Sequence, residues 1–397
     1  MKYVVLLCDG MADYSLDELD GKTPLQFAHT PNMDYIARDG VCGQAVTVPP
    51  DMPPGSDVAN LSILGYDPAK YYSGRGPLEA ASMGVELGPD DIAFRCNIIT
   101  EKDGIIEDYS AGHISTKEAC ELIKAVDGHL GSNVVKFYPG ISYRHLLVLS
   151  GGCGLDAQCT PPHDQVGQNV QDFLPGGQDS ELLIRLIMES KPLLEGHEVN
   201  QIRAKEGKNI GNMIWPWAQG RAVSMPTFRE LYNISGAMIS AVDLLKGLGV
   251  CAGLEVIDVP GATGYLDTNY KGKAEAALNA LESDDFVYVH VEAADEASHI
   301  GDIDAKIKAL EDFDRKVAGL ILDGLAAFDD YKVLLMPDHR TPIPLRTHTH
   351  DPVPFAVLSS NGSKDDVTEY NEFSVEEGAL GMVEGHRIMN YLVRNRF

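Results

Sequence analysis

Positive charge is scarce in this chain. Its 32 lysines and arginines face 59 aspartates and glutamates, a net charge of −27 over 397 residues. That balance excludes a general role on nucleic acid, whose phosphates need a basic face. An anionic substrate must instead find local positive charge, from a metal or from arginines. No apolar stretch approaches the roughly 20 residues that span a bilayer, so no membrane partner is expected. The first residues lack the basic segment and cleavage site of a secretory leader, and a cytoplasmic location is expected. The seven cysteines are odd in number, irregularly spaced and free of C-x-x-C, which argues against a disulfide framework or structural zinc. Gly21-Lys22-Thr23 lacks the upstream glycine of a Walker A loop, and Gly272-Lys273 is followed by alanine. Neither G-x-S-x-G nor G-x-G-x-x-G occurs.

What is present is an ordinary globular composition, 44% hydrophobic, long enough for a large core and two domains. Three short apolar runs lead to aspartates. Tyr3 to Cys8 ends at Asp9, Phe286 to Val291 is followed by Asp295, and Lys332 to Met336 is followed by Asp338. Runs of this length and Val/Leu/Tyr content predict buried parallel strands. Open α/β sheets bind ligands at the carboxyl ends of such strands.

Between these runs the periodicity predicts a helix near 32–38, a strand over 41–48 and a helix over 57–64. The rigid segment Pro49 to Gly55 stops at Ser56, which is positioned as an N-cap. From about 90 the texture changes to a hairpin around Asp103-Gly104, helices near 116–127 and 179–195, and short strands near Tyr138 and Leu146. Residues 205–226 read as Gly/Pro punctuation. Further on, helices are predicted over 237–248, 273–281 and 303–322, with strands over 254–259 and 353–358. The simplest account is an α/β core with a mostly parallel sheet flanked by helices, built from 1–89 and 206–397. A smaller α+β domain is inserted at 90–205.

Asp295 and His299 stand four apart, so on a helical turn they share one face and can grip one ion. Asp338-His339, with Asp9 and His348, brings the tally to three acids and three imidazoles, more than one tetrahedral zinc needs. Any single pair is ordinary surface chemistry; repetition at strand ends is what points to metal. Mixed Asp/His ligation suits manganese or zinc, with magnesium a third option. His290, inside an apolar run, reads as a satisfied sheet residue rather than a ligand. Ser56 has two readings: a simple helix cap, or a nucleophile at a helix N-terminus.

The residues then resemble a known family. Leu7-Cys8-Asp9-Gly10-Met11, Pro54-Gly55-Ser56-Asp57, Ser73-Gly74-Arg75-Gly76-Pro77, Pro260 to Gly264 with Asp267-Thr268-Asn269, Pro337-Asp338-His339 and His348-Thr349-His350-Asp351-Pro352 are similar to archaeal-type cofactor-independent phosphoglycerate mutases. These belong to the alkaline-phosphatase-like metalloenzymes. The resemblance implies one cation on Asp9, Ser56, Asp338 and His339 and a second on Asp295, His299 and His348. It implies Ser56 as nucleophile, transfer through phosphoserine between 3- and 2-phosphoglycerate without 2,3-bisphosphoglycerate, and an insert that closes over substrate.

Arg144, Arg203, Arg221 and His113 are candidates to bind the substrate's anionic groups, and Lys273 (or Lys271) is a candidate to assist the leaving oxygen. His113 stands where the family carries an arginine, and Trp215 to Arg221 departs from its pattern. The implied partner is a small phosphorylated metabolite; oligomeric state is not legible. Other classes to weigh are a homoserine-phosphorylating transferase, a phosphatase using the same serine, and a non-catalytic binding protein.

Overall fold

The computed structural model describes residues 1–396. Two compact units emerge, one from 1–72 with 225–397 and the other from 73–224.

The strands in chain order are β1 (Lys2–Cys8), β2 (Val41–Val46), β3 (Ile92–Lys102), β4 (Ile105–Asp108), β5 (Val135–Tyr138), β6 (Arg144–Leu149), β7 (Ala157–Gln158), β8 (Gly176–Gly177), β9 (Met213–Arg221), β10 (Gly236–Ile239), β11 (Glu255–Val256), β12 (Phe286–Val291), β13 (Tyr331–Met336), β14 (Val353–Ser359) and β15 (Gly381–Glu384). The first unit is built on an eight-stranded sheet in the order β11-β10-β12-β1-β13-β14-β2-β15. Every neighbouring pair is parallel except the two made by β14, which runs against β13 and β2. The three apolar runs of the sequence are therefore adjacent central strands, β12-β1-β13, and their aspartates emerge at one sheet edge.

Alternation along the strands sorts the two faces. Val4, Leu6, Val287, Val289, Val333 and Leu335 pack with residues of the helices Pro31–Arg38, Tyr270–Ser283 and Ile303–Phe313 in one core. Met238 and Tyr288 point the other way. Gly249 of the helix Asp243–Cys251 closes on Met238, and Tyr288 bonds to Asn60 of the helix Ser56–Ile63.

In the second unit β3 is central, pairing antiparallel with β4, β6 and β9, while β5 extends the sheet beyond β6. The helices Thr116–Leu130 and Ser180–Glu195 contribute Leu122, Ile123, Leu183 and Ile187 to its core.

Several sequence expectations shift. Residues 205–226 hold strand β9, whose Trp215-Pro216-Trp217 lies along β3. A proline is tolerated because β9 pairs only with β3 and is an edge. That pairing carries one border of the second unit to 224. The helix Arg75–Ser82 carries the other to 73, because Ala80 packs with Ala93, Leu146 and Val148. The predicted helix over 237–248 is a strand, β10, followed by a helix from Asp243. The short buried run Gly236–Ile239 joins the sheet instead of continuing the helical period. No element is predicted over 381–394, where the structure has β15 and the helix Gly385–Arg394, whose Ile388, Met389 and Leu392 share a buried face.

Candidate metal centre

Asp9 follows β1, and its amide donates to Val291 O on the neighbouring strand. Asp338 follows β13. The helix Ala293–Ile300 begins just past β12 and presents Asp295 and His299 one turn apart. Asp9, Asp338 and His339 offer ligand atoms within 4.8 Å of one another, as do Asp295, His299 and His348. Two clusters are thus assembled, and they abut, since the rings of His339 and His348 stack at 3.9 Å.

The buried cluster is acid-rich. His339 Nε2 lies 3.6 Å from Asp9 Oδ1, 3.4 Å from Asp338 Oδ2 and 3.1 Å from Ser56 Oγ. Asp9 Oδ1 is buried and has no hydrogen-bond partner. Asp9 Oδ2 accepts from His290 Nε2 at 2.9 Å. Asp338 accepts from the amides of Gly10 and His339 and from Asn60 Nδ2. Burial, reinforced by Asp338 and Asp295, pushes the Asp9 carboxyl well above its ordinary value.

The rim cluster satisfies itself. His299 Nε2 is 3.1 Å from Asp295 Oδ2, and His348 Nε2 is 3.5 Å from Asp295 Oδ1. Burial works to raise Asp295, but the hydrogen bonds from His299 and His348 overcome it and hold the carboxyl well below the usual range. The same bond to Asp295, partly offset by burial, lifts His299 to about 9.

The imidazoles share one arrangement. His299 Nδ1 meets Arg346 O at 2.9 Å, His348 Nδ1 meets Pro54 O at 3.4 Å, and His339 Nδ1 meets Thr341 Oγ1 at 3.2 Å. Each Nδ1 has an oxygen partner, which turns each Nε2 inward. This is how protein imidazoles are oriented toward a cation. With the orphaned Asp9 oxygen, these donors fit two divalent cations. Thr341 also donates to Asp295 Oδ1, so one hydroxyl joins the clusters. Lys306, fully buried, holds that loop by donating to Asp13 Oδ2 and Thr341 O.

Gly10 completes the floor. Its φ is +62°, and a Cβ there would fall 2.6 Å from both Asp295 Oδ1 and Thr341 Oγ1. Only glycine accepts that conformation and that approach.

Ser56 departs from the cap reading. Gly55 occupies the N-cap, and Ser56 is the first helical residue, its hydroxyl turned to His339 instead of to its own helix. Lys273 is fully buried and donates to the main-chain carbonyl of His290 at 2.9 Å, and burial lowers it to about 8. It secures the strand end rather than presenting a free ammonium. Lys271 pairs on the surface with Glu275.

In the second unit, the substrate candidates are not one constellation. His113 and Arg144 both flank Tyr143, at 6.5 Å and 5.5 Å. Arg221 lies 3.8 Å from Asp90 on the surface. Arg203 is buried, and its guanidinium is taken up by Glu118, Asn209 O and Ala111 O. It braces the segment before the helix Thr116–Leu130. An unforeseen arginine, Arg95, pairs with Glu79 at 2.8 Å and lies over Trp217 at 4.5 Å. Asn60, Thr341 and His290 were likewise not singled out as site residues. Asn60 could have been found as one helical turn beyond Ser56, and Thr341 by its place two residues past His339.

A family model described as 2,3-bisphosphoglycerate-independent phosphoglycerate mutase matches residues 37–200. A protein of that name from Methanosarcina barkeri is 55% identical over 396 residues, covering 99% of this chain and 100% of the relative. A Geobacter sulfurreducens protein described as a probable enzyme of that name is 52% identical over 399 residues, covering 99% and 100%. Among solved structures, the PH0037 protein of Pyrococcus horikoshii superposes with a TM-score of 0.84 at 30% identity, covering 98% of this chain and 96% of that one. The cofactor-independent phosphoglycerate mutase of Thermoplasma acidophilum gives 0.69 at 29% identity, with both chains fully covered.

Proposed function

Because the chain belongs to the 2,3-bisphosphoglycerate-independent phosphoglycerate mutases, we propose that it interconverts 3-phosphoglycerate and 2-phosphoglycerate through a phosphoserine on Ser56. The observation that carries this reading is the Ser56 hydroxyl, 3.1 Å from His339 Nε2 at the edge of a paired acid/imidazole cluster.

Asp9, Asp338, His339 and Ser56 would hold one cation, and Asp295, His299 and His348 the other. Manganese or zinc suits these donors. When bound, such ions lower the pKa of a serine hydroxyl and neutralise charge on a transferring phosphoryl group.

The rest falls to the protein. Ser56 Oγ attacks phosphorus, the bond to the 3-oxygen of glycerate breaks as the new P–O bond forms, and the serine proton ends on the departing 3-oxygen. Glycerate turns, and its 2-hydroxyl attacks the phosphoserine, regenerating Ser56. The helix Ser56–Ile63 fixes the nucleophile, and Asn60 ties that helix to Asp338. The unit at 73–224 is assigned the exclusion of water during the phosphoserine stage, when hydrolysis competes. Arg144 and His113, together on Tyr143, are its candidates for the substrate's anionic groups.

The test is direct. Purified protein with Mn²⁺ is offered 3-phosphoglycerate with no bisphosphoglycerate. Formation of 2-phosphoglycerate is expected, and no free phosphate should accumulate. Absence of turnover, with ATP-dependent phosphorylation of homoserine in a parallel tube, overturns the assignment.

A further inference from the structure

His290 sits inside an apolar strand with no exposed surface, yet both ring nitrogens are engaged. Nε2 is 2.9 Å from Asp9 Oδ2 and Nδ1 is 3.1 Å from Ser240 Oγ. Ser240 in turn accepts the amide of Val242 at 3.0 Å. These groups lie side by side because their strands do. Ser240 follows β10, His290 is in β12, Asp9 follows β1, and β10-β12-β1 are sheet neighbours.

The direction of each bond can be worked out. Asp9 as a cation ligand is ionised, and an ionised carboxylate only accepts, so the proton between His290 and Asp9 is then on Nε2. A buried, neutral ring then leaves Nδ1 as an acceptor. Ser240 already receives the Val242 amide, so its own proton is free to point at Nδ1. The chain runs Val242 N–H, Ser240 O–H, His290 Nε2–H, Asp9 Oδ2, with every group satisfied. At its end stands the second Asp9 oxygen, Oδ1, buried and without a hydrogen-bond partner.

We propose that Ser240 and His290 are positioning residues that occupy one oxygen of Asp9 and present the other, alone, to the cation of the buried cluster. Asp9 is thereby a one-oxygen ligand with a fixed rotamer. A chelating carboxylate would need both oxygens, and His290 holds one of them. The proposal rests on Asp9 being a cation ligand, as inferred above.

The test isolates the buried cluster. His299→Ala removes an imidazole of the rim cluster, and Mn²⁺ binding to the metal-stripped full chain is then followed by electron paramagnetic resonance and calorimetry. In this background His290→Leu should weaken Mn²⁺ about 10- to 100-fold, the usual range for losing a group that orients a ligand. His290→Gln, whose amide N–H can still donate, should recover most of that loss. Ser240→Ala leaves the ring and its Nε2–H in place and should shift the ¹⁵N resonance of His290 Nδ1 from that of a hydrogen-bonded acceptor toward that of an unbonded one, with Ser240→Thr restoring it.

Folded His290→Leu protein that binds Mn²⁺ like its parent overturns the proposal, as does equal weakening in Leu and Gln variants. If His290→Leu does not fold, the Ser240 pair decides alone: an unchanged spectrum in Ser240→Ala rejects the relay. A parent that binds no Mn²⁺ rejects both this inference and the assignment of Asp9 beneath it.

Discussion

The two ligand clusters use the same kinds of side chain to opposite electrostatic effect. In the rim cluster one carboxylate serves two imidazoles, and His299 and His348 keep 35% and 18% of their side-chain surface. In the other, two carboxylates share one imidazole, and all three side chains are at most 1% exposed. The rim group can neutralise itself by holding a proton. The buried group cannot do so without protonating Asp9. Positive charge is therefore optional for the first and required by the second, and Ser56 sits with the cluster that requires it.

The largest way to test that contrast is to remove the Ser56 hydroxyl. Ser56→Ala should lower mutase activity by at least about a thousandfold, while calorimetry still finds two Mn²⁺ sites; a fully active variant would end the covalent reading. Next, ligands can be deleted one cluster at a time. Asp338→Asn should abolish Mn²⁺ uptake by the buried cluster and leave the rim cluster able to load, and His299→Ala should do the reverse. If either variant loses both ions together, the clusters are one site and the comparison fails.

A smaller effect comes from pH. In cation-free protein His299 is raised above its ordinary value near 6.5, so its bond to Asp295 contributes stability fully below that value. The contribution is lost as pH rises toward about 9. Asp9, also raised, acts in the same direction, because its charged form is the one that burial disfavours. Asp295 is depressed, so its contribution is present above the carboxylate range and lost only in acid. Cation-free protein should thus melt at a lower temperature at pH 9.5 than at pH 7, and saturating Mn²⁺ should flatten the difference. A melting curve indifferent to pH without cations would contradict the sharing of charge described here. The smallest effect is expected at the joint between the clusters. Thr341→Val strands His339 Nδ1 and takes one of two donors from Asp295 Oδ1, and should cost about 1–3 kcal/mol of stability, read by urea titration of the cation-free protein.

The two candidate clusters were legible because chemistry and position coincide in their residues. Asp9, Asp295 and Asp338 end apolar runs, and in a parallel sheet such ends meet. The residues that orient them were less visible. Thr341 is an unremarked threonine in a loop, and its role depends on two chains of contact 46 and 2 positions away. His290 alternates with Tyr288 on one face of β12, and two polar groups at period two in an otherwise apolar strand were the available signal. Its partner Ser240 was masked by a helical pattern that the sheet overrode. In the second unit β9 hid behind a proline and two glycines nearby, and the border at 73 depends on Ala80 meeting β3 and β6, a long-range contact that no local pattern announces. Arg203 looked like a ligand for the same reason any arginine does, since composition does not reveal that a guanidinium is already enclosed.

Gly10 has one more implication. At this position a bare peptide lies against Asp295, with no room for even a methyl group. The gap between the two halves of the centre is consequently set by main-chain thickness, a length that side-chain replacement elsewhere leaves untouched. Donors on either side can be exchanged to suit another ion while the gauge between the two seats stays constant. Gly10→Ala is the change that alters the gauge itself, by wedging the halves apart.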